Sequence, residues 1–223
     1  MSGRKRVGVV LAGCGYLDGS EIQEAVLTLL YLDKGGAEAV CMAPNIPQAQ
    51  VVDHLTGKVT AETRNVLVES ARMVRGKVGD IGSVDPACLD ALILPGGYGV
   101  AKNLSDFAFK GAGMSVHPSV AVLVEAVHRA GKPVGAWCIA PAVLAKLFPG
   151  ATVTIGDDAG TASALESMGA HHRMCGVANI IIDARHKVIT TPAYMLGPWI
   201  ADVAAGIEQA VNEMLEMLDN AAG

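Results

Sequence analysis

The residue with the clearest capacity for chemistry is a cysteine in the run KPVGAWCIAPAVLAKL, residues 132–147. Val134 to Trp137 is a short apolar run entered by Pro133, which reads as a strand buried on both faces, and from Ile139 apolar residues recur at helical spacing. Cys138 falls on the join. A strand that turns directly into a helix holds its junction residue on a sharp bend, side chain outward, and needs small residues two places before and after. Ala136 and Ala140 fill those places, and Pro141 stands in the first helical turn, where a missing N–H costs little. The window has the shape of a nucleophile elbow with cysteine as the nucleophile; taken alone, it equally fits a small cysteine packed in the core. On such an elbow, unpaired N–H groups and the positive end of the helix dipole are expected to favour the thiolate. They should bring its pKa below the free value of about 8.5.

Two glycine loops add to the cysteine. The strand Asp90 to Leu94 is followed at once by Pro95-Gly96-Gly97-Tyr98-Gly99. Glycines directly after a buried strand let the backbone approach a ligand with its N–H groups outward, which is how oxyanion holes are made; the plain alternative is a tight turn. Gly13-Cys14-Gly15 closes the first strand in the same way. His117, His128, His171 and His172 sit in no motif, and His171-His172 with Cys175 makes a poor metal site, so no metal is expected.

The elements that must position these loops alternate along the chain. Arg6 to Ala12 reads as a strand, followed by a helix with Ser20 as N-cap, Glu21 and Glu24 in its first turns, and Ile22, Ala25, Val26, Leu29 and Leu30 as its apolar face. Gly35-Gly36 ends that helix, and Ala37 to Met42 is a second strand. Residues 45–60 read as a small hairpin or loop excursion before a helix over about 62–73. A helix from Pro118 to Gly131 leads into the elbow strand. Beyond the elbow come a strand at Thr152 to Ile155 and a helix around Thr161 to Met168. Strands at Val177 to Ile182 and Lys187 to Thr190 follow, then a long last helix from Ile200 to Leu218 with Ile200, Val203, Ile207, Val211 and Met214 on its apolar face. This alternation predicts a single α/β domain over 1–223, a three-layer, doubly wound, mostly parallel sheet with a small β-hairpin excursion. Ligands then belong at the carboxyl ends of the strands, where all three loops can meet.

Composition narrows the function further. A formal charge of −5 with 17 basic residues in no long block excludes a nucleic-acid surface, and no apolar run approaches the roughly 18–20 residues of a membrane span. Five scattered cysteines form no framework and point to free thiols in a reducing compartment, so a cytoplasmic protein is expected. Leu11-Ala12-Gly13-Cys14 looks like a lipoprotein cleavage box, but the apolar run before it, Val7 to Val10, is too short for a signal sequence. Glycines 13, 15 and 19 miss the dinucleotide spacing by one, and no phosphate-binding lysine loop occurs.

The runs GCGYLDGSEIQEAVLTLL, LILPGGYGVAKNLSDF, GAWCIAPAVL and ITTPAYML together resemble the ElbB (enhancing lycopene biosynthesis) branch of the PfpI-type class I glutamine-amidotransferase-like superfamily, over essentially the full chain. The resemblance implies a flavodoxin-like fold, a homodimer, and a reactive cysteine at Cys138 paired with a glutamate from the first helix. It implies oxyanion donors at the Gly97 and Ile139 N–H groups, beside Gly96. Counting back without gaps from the Gly36 helix end, the family's glutamate falls on Glu24, whereas a helical wheel places Glu21 nearer the buried face; the ungapped count favours Glu24.

Departures from the wider superfamily shape the expected reaction. Its peptidase-like members carry histidine directly after the nucleophile, where this chain has Ile139; its amidotransferases carry His-Pro-Glu after a late strand, where this chain has Thr191-Pro192-Ala193. Without a histidine base, a cysteine paired with a protonated carboxyl resembles the glutathione-independent glyoxalases of the superfamily. The expectation is a cofactor-free enzyme converting small 2-oxoaldehydes, glyoxal or methylglyoxal, to 2-hydroxy acids. The alternatives are a non-enzymatic redox-sensing or regulatory dimer linked to isoprenoid metabolism or stress, and a residual amidase.

Overall fold

The computed structural model describes residues 3–221. In chain order its elements are β1 (Arg6–Val10), α1 (Ile22–Lys34), β2 (Glu38–Ala43), β3 (Val52–Asp53), β4 (Lys58–Val59), α2 (Val66–Ser70), β5 (Gly79–Asp80), β6 (Ala91–Leu94), α3 (Phe107–Lys110), α4 (Pro118–Arg129), β7 (Val134–Trp137), α5 (Pro141–Leu147), β8 (Thr152–Val153), α6 (Ala159–Ser167), β9 (His171–His172), β10 (Ile181–Asp183), β11 (Val188–Thr191) and α7 (Ile200–Ala221). Seven strands form the main sheet in the order β10-β11-β7-β6-β1-β2-β5. All neighbours run parallel except β10, which pairs antiparallel with β11 through the turn at 184–187.

The sequence explains the sheet. β1, β6 and β7 are short apolar runs, and β6 and β7 are buried along their whole length, as strands covered on both faces must be. The chain leaves β1 towards β2 and leaves β6 towards β7, in opposite directions across the sheet. Right-handed crossovers therefore place α1 and α4 on opposite faces, giving the flavodoxin-like three-layer α/β fold. The reversal lies between β1 and β6, and the loops after β1, β6 and β7 open at one edge. The expected excursion is the β3–β4 hairpin, with Val52 opposite Val59, and Asp18 Oδ2 accepts from Val52 N at 2.7 Å to tie it to the β1 loop.

Several details of the sequence reading are corrected. Glu21, not Ser20, caps α1, while Ser20 Oγ accepts from Ala12 N at 2.8 Å and fastens the β1 loop. The buried face of α1 is Glu24, Ala25, Thr28, Tyr31 and Leu32, whereas Ile22, Val26 and Leu30 are exposed. The reason lies in β7: the buried indole of Trp137 needs an acceptor and finds Thr28 Oγ1 at 3.0 Å, which turns the polar stripe of α1 inward. Ile200 of α7 is likewise exposed, and a π-helical turn at Val100–Leu104 was not foreseen. No helix among the described residues is long and apolar enough to cross a membrane.

Candidate active site

Cys138 sits between β7 and α5 with φ 57°, a left-handed conformation that L-residues adopt only under constraint. Its N–H donates to Thr191 O at 3.1 Å, which clamps the bend to the neighbouring strand β11. The side chain is 8% exposed and lines a cavity of about 410 Å³. The backbone N–H groups of Gly97 and Ile139 act on its sulfur, and the Glu24 carboxyl converges on it, sulfur and carboxyl both lying within 3.0 Å of where a Gly96 methyl would sit. The loops after β6 and β7 and the first turn of α1 thus meet, as their spacing requires.

Glu24 is completely buried, and two backbone donors hold its carboxyl. Gly96 N reaches Oε2 at 2.8 Å, and Tyr194 N reaches Oε1 at 3.2 Å. Gly96 lies beneath the pair rather than on the cavity wall. A methyl at Gly96 would meet Cys138 Cβ at 2.4 Å, Glu24 Oε2 at 2.6 Å and the sulfur at 3.0 Å, so only glycine leaves room for the two groups to converge. Gly97 (φ 100°) packs as tightly, its missing Cβ 2.3 Å from Glu21 N. Glu21 sits at the mouth as the α1 cap, its Oε2 accepting from Glu24 N at 2.7 Å. Of the two candidate carboxylates, Glu24 is the one set against the thiol.

Burial pushes the Glu24 carboxyl up to about 8, and the charge of Glu21 adds to the rise. Burial, then the charge of Glu24, pushes the Cys138 thiol well above the ordinary thiol range, although the Gly97 and Ile139 N–H groups pull the other way. The expectation of a depressed thiol pKa is corrected. α5 begins only at Pro141, and the sulfur is enclosed beside an acid rather than opened to water at a helix end. Charge on either group opposes charge on the other, so at neutral pH the pair holds both protons, and as pH climbs towards about 8 it loses one and keeps a single proton that either atom can carry.

Sequence reasoning missed how Glu24 is held from the far side. Where amidotransferases place a histidine, Thr191-Pro192-Ala193 bends back with Ala193 at φ 45°, and the product of that bend is the Tyr194 N–H aimed at Glu24. The Tyr194 hydroxyl closes the corner by donating to Gln23 Oε1. Among the described residues no histidine lines the cavity, and no group of three or more His, Cys, Asp or Glu side chains could hold a metal ion. His172 Nε2 accepts instead from Ile155 N at 3.4 Å.

A cysteine elbow at the carboxyl edge of a flavodoxin-like sheet, faced by a glycine loop and a buried acid from the first helix, defines a protein of the class I glutamine-amidotransferase-like kind. DJ-1beta of Drosophila melanogaster has this fold, superposing with a TM-score of 0.55 at 19% identity over 99% of this chain and 98% of its own. Closer likenesses are more specific. The human glutamine amidotransferase-like class 1 domain-containing protein 3, mitochondrial, is 43% identical over 95% of this chain and 83% of its own. The ES1 protein, mitochondrial, of Danio rerio is 32% identical over 96% and 87%. A crystal structure of an isoprenoid biosynthesis protein with an amidotransferase-like domain from Ehrlichia chaffeensis superposes with a TM-score of 0.89 at 39% identity, covering 95% of this chain and 99% of that one. No family model matches the chain. The chain belongs to the ES1 and ElbB-like family of class I glutamine-amidotransferase-like proteins. The cytoplasmic expectation is overturned here, because the curated human and zebrafish relatives are both named mitochondrial, which points away from the cytoplasm. Scattered free thiols report a reducing environment and not an address.

Proposed function

We propose that this protein is a cofactor-independent glyoxalase that converts 2-oxoaldehydes to 2-hydroxy acids at Cys138. The observation that carries the reading is the fully buried Glu24 carboxyl, protonated near neutral pH and set against the thiol, with no histidine among the described residues of the cavity wall. The singly ionised pair is the reactive form. The Cys138 sulfur adds to the aldehyde carbon, and the resulting oxyanion, facing the Gly97 and Ile139 N–H groups, takes the proton held by Glu24 to give a hemithioacetal. The Glu24 carboxylate removes the hydrogen of the former aldehyde carbon, and the enediol so formed is reprotonated on the neighbouring carbon, leaving a thioester. Water opens the thioester to the 2-hydroxy acid and frees the sulfur. The net change is the addition of one water.

The test is to mix purified protein with glyoxal and follow glycolate. Wild-type turnover that disappears in Cys138→Ala supports the reading. Equal rates in wild type and variant would end it. They would leave the regulatory reading, which is favoured by the Ehrlichia chaffeensis relative being named for isoprenoid biosynthesis.

A further inference from the structure

The cavity over Cys138 is far larger than glyoxal needs. At about 410 Å³ it falls in the range of roughly 300–1,000 Å³ typical of pockets for drug-sized ligands, whereas glyoxal has four heavy atoms. Its wall is also chemically one-sided. Tyr16, Tyr98, Phe107 and Tyr194 supply aromatic surface, and apart from the phenols and the thiol its ionisable side chains among the described residues are the carboxylates Glu21 and Asp158. Both acids are fixed as helix caps: Glu21 Oε2 accepts from Glu24 N and Asp158 Oδ1 from Thr161 N, each at 2.7 Å. Among the described residues no lysine, arginine or histidine reaches the wall. Lys102 lies 5.7 Å from the Tyr98 ring centroid, but its Nζ donates to Leu17 O at 2.8 Å and the residue lines a separate groove.

Aromatic faces carry negative potential, and a cleft lined by one sign of charge concentrates the opposite sign. We infer that the substrate of this site is a carbonyl compound whose far end carries an ammonium-type cation, and that carboxylate-bearing carbonyls are turned away. The carbonyl end rests on the glyoxalase reading; the charge preference rests on the cavity wall alone. A cation seated among Glu21, Asp158 and the tyrosines would also favour the thiolate over the thiol, so binding would ready the sulfur for attack.

The test uses two thiol reagents with the same leaving group and opposite charge, the trimethylammonioethyl and sulfonatoethyl methanethiosulfonates. The Cys138 sulfur attacks the sulfenyl sulfur of either reagent, forming a mixed disulfide and releasing methanesulfinate. Labelling rates at Cys138 are read by peptide mass spectrometry in the folded protein and compared with those of the same cysteine in the urea-unfolded chain, which removes the intrinsic difference between the reagents. We expect the cationic-to-anionic rate ratio to exceed the unfolded value by about tenfold. It should fall towards the unfolded value in Glu21→Gln/Asp158→Asn, whose side chains keep both caps and lose both charges. Asp158→Asn alone, an exposed position, gives an intermediate ratio and guards against misfolding of the double variant.

A folded-state ratio no greater than the unfolded one would overturn the inference. So would failure of both reagents to label Cys138 faster than the buried Cys41. Glyoxal turnover measured on the same sample separates the two proposals. Turnover without charge preference removes this inference alone, and charge preference without turnover removes the glyoxalase reading and with it the carbonyl end, while the preference for a cation stands.

Discussion

Two buried acids, one at each end of the sheet, are held by hydrogen bonds from the backbone, and they differ in everything that follows. Asp183 closes β10 at the end opposite the elbow. It accepts from Thr152 N at 2.7 Å, from His186 N at 2.9 Å and from His186 Nδ1 at 2.8 Å. Because an ionised carboxylate only accepts, the His186 ring must carry its proton on Nδ1. Burial alone would raise Asp183, but these donors outweigh it and hold the carboxyl below the usual carboxylate range. Glu24 has two backbone donors, no cationic or imidazole partner among the described residues, complete burial, and two groups of its own sign beside it, Glu21 and Cys138. The lesson is that hydrogen-bond count does not mark a functional acid. What distinguishes Glu24 is that its neighbours leave it a proton to give.

Neutralising each acid separates them most sharply. Glu24→Gln should lower kcat/KM for glyoxal by about 10²–10⁴-fold, the range for losing a general acid–base. Because Gln carries no charge, the pH midpoint for alkylation of Cys138 by iodoacetamide should fall below the wild-type value. A midpoint that stays put would show that Glu24 does not influence the thiol. In the wild type, kcat/KM should rise with pH up to about 8 as the pair becomes singly ionised. Asp183→Ala should leave kcat/KM unchanged and cost about 2 kcal/mol in urea denaturation, because it strands the Thr152 and His186 N–H groups without their acceptor.

Linkage gives the two acids opposite signs. Glu24 has a folded pKa raised to about 8, so the unfolded chain releases this proton first. Wild type should lose stability relative to Glu24→Gln as pH climbs from about 4.5 to 8. Asp183 has a folded pKa below its unfolded value. Its contribution is present above about pH 4 and fades as pH falls through the folded pKa, so the gap between wild type and Asp183→Ala should close in acid. Melting temperatures of the three proteins from pH 3 to pH 9 read both trends. Parallel curves for wild type and Glu24→Gln would mean that Glu24 is an ordinary ionised carboxylate.

The sequence made one of these ends far more legible than the way its parts are aimed. The elbow strand Val134–Trp137 was bounded correctly because Pro133, a short apolar run and flanking alanines act over a few residues, and short-range rules suffice there. The three strand-following loops converged because a doubly wound topology leaves them no other edge. The orientation of α1 was not legible from its own residues. Its apolar stripe suggested Ile22, Val26 and Leu30 inward, but the Trp137 indole and the Gly96 N–H, 109 and 72 residues away from their partners Thr28 and Glu24, turn that pair in instead. Tyr194 was missed for a different reason. It serves through a backbone N–H, which leaves no residue-type signature, and the only trace is a small residue at 193 able to reach φ 45°. The cavity wall draws on separate loops and helix starts, and no local pattern joins Tyr16 to Asp158.

Backbone strain gives the smallest and most discriminating test, because both ends of the sheet have it. Cys138 has φ 57°, and Lys187, in the turn beside Asp183, has φ 51°. A left-handed residue costs an L-side chain about 1–2 kcal/mol that glycine does not pay, partly offset by the larger entropy glycine loses on folding. Cys138→Gly should therefore be more stable than Cys138→Ala by about 0.5–1 kcal/mol, and Lys187→Gly more stable than Lys187→Ala by a similar amount, read from urea midpoints. The two cysteine variants lack the sulfur equally, so their difference isolates the bend. If glycine helps at 187 but not at 138, the elbow is not strained, and the sulfur is presented by packing against Gly96 and Thr191 alone. If it helps at both, strain is common to a plain turn and to the elbow. Only the elbow holds a nucleophile against an acid that keeps its proton, and that pairing, rather than the bend, is what makes it a candidate for catalysis.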